Sequence, residues 1–85
     1  MTPEIRRRLG AQRAEVSHLI AREMRLRGHT GASLARKLGC SVNNVSRTLI
    51  GGSHSPMVLD ALRDLGVPEG YLFDPRRMRP EGGAV

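Results

Sequence analysis

Aromatic side chains are almost missing from this chain: Tyr71 and Phe73 are the only two in 85 residues, and tryptophan is absent. The core must therefore be aliphatic, and a nucleic-acid site built on bases stacked against aromatic rings has almost no raw material. Cysteine is nearly as scarce. The single Cys40 has no partner for an internal disulfide or for a zinc site, which fits a reducing cytoplasm. No apolar run approaches the roughly 18–20 residues of a membrane span, and the basic N-terminus is not followed by an apolar signal segment. Strand-like alternation is missing as well. The expectation is a cytoplasmic protein with one small core, because a chain this short buries only about 60–65% of its unfolded surface.

Acidic residues are sparse in one half. Residues 1–50 hold ten Lys/Arg and three Asp/Glu, a net of +7; residues 51–85 hold four and five, a net of −1; together they make the +6 of the whole chain. A field of this kind attracts polyanions and speeds their encounter. Basicity alone fits nucleic acid, an anionic membrane or plain solubility.

What is abundant is helix punctuation. Thr2-Pro3-Glu4 supplies a capping hydroxyl, proline at the first helical position and an acid near the positive helix end. Ile5, Leu9, Val16, Leu19, Ile20 and Met24 follow at roughly helical spacing, and Gly10 offers a place to split the run. The better-supported helix covers about Ala14 to Arg27 and stops at Gly28. A second spans about Gly31 to Leu38 and ends at Gly39. Ser41 caps a third that runs through Leu49, and Ser55-Pro56 opens a fourth carrying Val58, Leu59, Leu62 and Leu65, closed by Gly66. Pro68 to Phe73 fits one further turn. Asp74 to Val85 has charge, proline and glycine but little to bury, and reads as a flexible tail. The division is 1–13 as a basic helical extension, 14–73 as the folded domain and 74–85 as the tail.

Three features coincide in LARKLGCSVNNVSR, residues 34–47. Ala35 is small where two helices must pass closely. Gly39 stands four residues later, where the chain needs a conformation glycine adopts cheaply. Val45 and then Leu49 face back towards the first helix. Two helices crossing about a tight turn result. LARKLGCSVNNVSRTLIGG resembles the helix-turn-helix of the Cro/C1-type (xenobiotic-response-element-like) phage-repressor family. The likeness runs from about Leu19 to Phe73, through IAREMRLRG and LRDLGVPEGYLF, and extends to small Ner-like regulators of transposable phages. It implies an all-α, lambda-repressor-like domain of four to five short helices.

The resemblance makes the third helix the recognition helix, lying in the major groove of double-stranded DNA. Its solvent side is then Ser41, Val42, Asn43, Ser46 and Arg47, with Ile50 at the edge. Arg47 suits a bidentate contact to guanine, Asn43 one to adenine, and Val42 a thymine methyl. Ser33, Arg36, Lys37, Asn44 and His54 are the phosphate-contacting set, although ordinary loop polarity is the stronger reading of His54 taken by itself. Where the family often has glutamine, this chain has Gly31 and Val42, so the family's glutamine–adenine contact does not carry over. Arg6, Arg7 and Arg8 are either a solvated helix face or a phosphate-binding arm, and Arg76, Arg77 and Arg79 a solvating tail. Cys40 is expected to be buried and inert.

His18, His29 and His54 lack metal-ligand spacing, and no Ser/His/Asp set, paired acids or phosphate-binding glycine loop occurs. The sequence therefore predicts no enzyme, no cofactor, no metal, no small-molecule ligand and no membrane partner. It predicts a DNA-binding transcriptional regulator, a repressor acting as a homodimer. The fourth helix with Tyr71-Leu72-Phe73, or the turns carrying Ile5 and Leu9, would form the pairing surface. The alternative is a helical protein-interaction module, or an antitoxin with the same fold.

Overall fold

The structure, a computed structural model, describes residues 2–77. Within them the chain is all-α and contains no strand. The helices are α1 (Pro3–Glu15), α2 (Ser17–Leu26), α3 (Gly31–Leu38), α4 (Val42–Leu49), α5 (Pro56–Leu65) and α6 (Glu69–Leu72). Six elements appear where the sequence suggests four or five, because the first apolar run divides and the last turn is itself a short helix. The division does not fall at Gly10. It falls at Val16 (φ −110°, ψ 14°), so α1 continues past the expected boundary at residue 13.

Hydroxyl caps start α1, α4 and α5 as the sequence suggests. Thr2 Oγ1 accepts from the Ile5 backbone N–H (3.2 Å), Ser41 Oγ from Asn44 (3.1 Å) and Ser55 Oγ from Val58 (3.4 Å). Each such cap contributes about 1 kcal/mol by satisfying an N–H that the helix leaves unpaired.

The core is aliphatic. Ile20 and Met24 of α2, Leu34 and Ala35 of α3, Val45 of α4, and Val58, Leu59 and Leu62 of α5 close around one another with Val67 and Leu72. Burial of each large side chain contributes about 1.5–3 kcal/mol. Helices α3 and α4 pack most closely against each other. Helix α1 differs from the rest, since Leu9 is its one buried apolar side chain. Something other than hydrophobic burial must hold it.

Of the apolar residues that the sequence offers for pairing, Leu9 and Leu72 are buried inside this single chain, Ile5, Tyr71 and Phe73 are half-buried, and Met57 of α5 is exposed. Cys40 is half-buried against the core rather than enclosed.

The segment after Phe73 is also fastened rather than loose, as far as it is described. Asp74 is buried and accepts from Arg63 Nη2 (3.0 Å), the Arg76 backbone N–H (2.9 Å) and Arg76 Nη2 (2.9 Å). Arg76 reaches on to Asp60 (2.8 Å), and Arg63 binds Asp60 (2.7 Å) and Glu69 (2.6 Å). Burial pushes the Asp74 carboxyl up, yet the hydrogen bonds from Arg76 and Arg63 outweigh it and hold the group below the usual carboxylate range. Arg76 is thus a structural clasp and not a free tail charge. Arg79 and the rest of 78–85 lie outside the described residues.

Candidate nucleic-acid interface

The unit formed by α3, a three-residue turn and α4 is built by local signals at each step. Thr30 and Ser33 make a reciprocal capping box at the start of α3: Ser33 N–H donates to Thr30 Oγ1 (3.1 Å) and Thr30 N–H to Ser33 Oγ (2.8 Å). Gly39 ends α3 in the left-handed region (φ 72°), and Cys40 N–H returns to the Ala35 carbonyl (3.0 Å). Ser41 then caps α4 within two residues of Gly39. Beside this turn lies an open depression of about 370 Å³ lined by Ala32, Ala35, Arg36, Cys40, Ser41 and Val42.

At about 100° per residue, the buried Val45 and Thr48 and the half-buried Leu49 fix which side of α4 faces the core. Asn43, Ser46 and Arg47 fall on the opposite, exposed side, and Val42 and Ser41 are exposed at its start. Ile50 joins them at 60% exposure, with Val42 at 48%, so the outward face mixes an amide, a hydroxyl, a guanidinium and two aliphatic groups. Arg47 forms no ion pair among the described residues. Ser41 is partly engaged, because its oxygen accepts from Asn44 while its O–H stays available to donate.

The residues expected at phosphate divide. Arg36 and Lys37 are exposed on the last turn of α3. Asn44 is half-buried, and its carbonyl accepts from Thr48 Oγ1 (2.9 Å). Ser33 is engaged in the cap of its own helix: its hydroxyl donates to the Thr30 carbonyl (3.1 Å) while accepting from the Thr30 N–H. His54 is likewise engaged, because its Nδ1 accepts from Arg13 Nη2 (2.6 Å). A guanidinium only donates, so that ring must be neutral with its proton on Nε2. Burial, then the charges of Arg13 and Arg6, push the His54 pKa below the ordinary imidazole value.

Arg13 is what holds α1, and no sequence signal pointed to it. Its guanidinium is fully buried. Nε donates to the Thr48 carbonyl (2.7 Å), Nη1 to the Leu72 carbonyl (3.0 Å), and Nη2 to the Ser53 carbonyl (2.9 Å) as well as to His54. The cation therefore sits at the C-terminal ends of α4 and α6, where unpaired carbonyls concentrate negative potential. Burial lowers the Arg13 pKa, and the Asp74 charge opposes that shift. Just beyond, Gly10 of α1 meets Gly51 backbone to backbone, and a Cβ on either glycine would run into the other's main chain. Gly51 also takes a positive φ of 86°. These contacts join residues 35 and more positions apart, which is why no spacing in the sequence announces them.

Charge is sorted to match. Five of the six ion pairs among the described residues tie Arg63 and Arg76 to Asp60, Glu69 and Asp74, at the α5–α6 end. The other joins Arg27 to Glu23 (2.6 Å). Arg6, Arg36, Lys37 and Arg47 are exposed without an acidic partner among the described residues. No three His, Cys, Asp or Glu side chains of the described residues gather as a metal site would need. No described helix is long and apolar enough to cross a membrane. Comparison with protein-family models, with curated proteins and with solved structures finds no match to this chain.

Proposed function

We propose that this protein is a sequence-specific regulator that binds double-stranded DNA through α4 and represses transcription by occupying promoter DNA. The reading rests on one observation: α4 turns Asn43, Ser46 and Arg47 away from the core on a single exposed face, with unpaired cations on α3 beside it. Such a helix fits a major groove about 12 Å wide, and its polar side chains match base edges. Arg47 reads guanine, Asn43 reads adenine, and Val42 with Ile50 packs on thymine methyls. Arg36 and Lys37 hold phosphates. The likeness of residues 19–73 to Cro/C1-type repressors supports the same assignment. One such helix covers few base pairs among about a million or more competing sites, so a homodimer on a two-fold operator is part of the proposal, with recognition helices roughly 34 Å apart.

The test separates base reading from charge. Arg47→Ala and Asn43→Ala should each weaken binding to a selected operator by about 1–3 kcal/mol while leaving affinity for random duplex nearly unchanged. Arg36→Ala should weaken both alike. An equal loss on both DNAs for Arg47→Ala would make Arg47 a phosphate contact and undo the assigned face. A second reading, docking of a partner protein, draws on the exposed Val42 and Ile50 of the same face. No measurable binding to duplex DNA at low salt would favour it.

A further inference from the structure

We propose that Arg6 holds a DNA phosphate beside the loop that follows α4, so that α1 widens the contact beyond the helix-turn-helix; this rests on the DNA reading above. Arg6, Gly10 and Arg13 stand at i, i+4 and i+7 and share one face of α1. Two of the three are fixed in place. Gly10 lies against the Gly51 backbone, and Arg13 is anchored on the last turn of α4. Arg6 is one turn further out, about 5–6 Å along the axis, where its backbone is hydrogen-bonded to the His54 ring. Its charge acts on the His54 ring from that position.

Three features make the spot suited to an anion. The Arg6 side chain is exposed and forms no ion pair among the described residues. The backbone N–H groups of Ser53, His54 and Ser55 donate to no acceptor among the described residues, so the loop retains donors of the kind that backbone anion sites use. A guanidinium matches two phosphate oxygens with its parallel N–H groups. An anionic membrane surface fits poorly, because an interfacial helix needs a broad apolar face. Here Leu9 is buried, and α1 has no other large aliphatic side chain besides the half-buried Ile5. His54, which the sequence suggests as the phosphate ligand of this loop, is instead committed to Arg13, and Arg6 takes its place.

The experiment is a salt series with the full chain on random-sequence duplex DNA, with circular dichroism confirming that each variant is folded. Wild type should lose affinity log-linearly with salt, and Arg6→Ala should flatten the log–log slope by about 0.9, one phosphate contact. Arg6→Lys should restore the slope. Arg8→Ala removes the same charge from the far side of α1 and should leave the slope as in wild type. An unchanged slope for Arg6→Ala, or an equal flattening by Arg8→Ala, would overturn the contact while leaving the DNA reading intact. Failure of the wild type to bind duplex DNA at low salt would overturn both, and it would be visible before any variant is compared.

Discussion

The two ends of α4 are fixed by opposite means. At its start, Gly39, Cys40 and Ser41 do everything within a few residues: a left-handed glycine, a returning N–H and a hydroxyl cap. At its end, the chain is held from far away by Gly10 and Arg13 of α1. The start therefore tolerates independent changes, each costing its own small increment. The end is one coupled junction, in which losing any member leaves the others mismatched.

Arg13→Ala should break that contrast most severely. It removes the donor from the buried Leu72 carbonyl and the half-buried Ser53 carbonyl, at about 1–3 kcal/mol each, leaves the Thr48 carbonyl with only its backbone donor from Gly51, and strands His54 Nδ1. The expected total of about 4 kcal/mol or more is a large share of a small domain's stability. Urea unfolding should show the midpoint collapsing, and Arg13→Lys should recover little, since an ammonium cannot span divergent carbonyls as a fork does. A midpoint within about 1 kcal/mol of wild type would mean that water replaces the guanidinium readily.

The glycines sharpen the comparison. Gly51→Ala meets both a positive φ and the Gly10 main chain, so about 3 kcal/mol is expected from strain plus overpacking. Gly39→Ala has open space around its Cβ and should cost only the conformational strain, about 1–2 kcal/mol. Equal losses in urea midpoints would erase the distinction between the two ends.

The smallest effect comes with pH. The folded His54 pKa lies below its unfolded value, near 6.5. The unfolded chain therefore takes up its proton first as pH falls. The stability contributed by neutral His54 is complete above that value and is lost as pH drops through the folded pKa. Thermal midpoints should decline between pH 7 and pH 5, and the decline should be shallower in His54→Gln. A profile that is flat in that range for the wild type would show that protonated His54 is accommodated beside Arg13.

Legibility follows the same division. Capping hydroxyls, helix-ending glycines and aliphatic spacing act over a few residues, so α2 to α5 and the outward set of Asn43, Ser46 and Arg47 were readable in order. Arg13 looked like one more basic residue of a solvated extension, because its acceptors are backbone carbonyls that no side-chain pattern encodes. Gly10 looked like a helix break for a related reason: its cause is a close approach by a chain segment about forty residues away. Asp74 and Arg76 read as tail for want of apolar neighbours, though charge pairing orders them instead. Position in the sequence suggests outward roles for Ser33 and His54, whereas the Ser33 hydroxyl and the His54 ring are taken up by Thr30 and Arg13.

The reach of Arg13 bears on how the molecule forms. Its acceptors lie 35, 40 and 59 residues downstream, so this junction raises the contact order of an otherwise local helical chain. Amides at the end of α4 should accordingly exchange hydrogen only with global opening, as part of the same cooperative unit as the first and last helices.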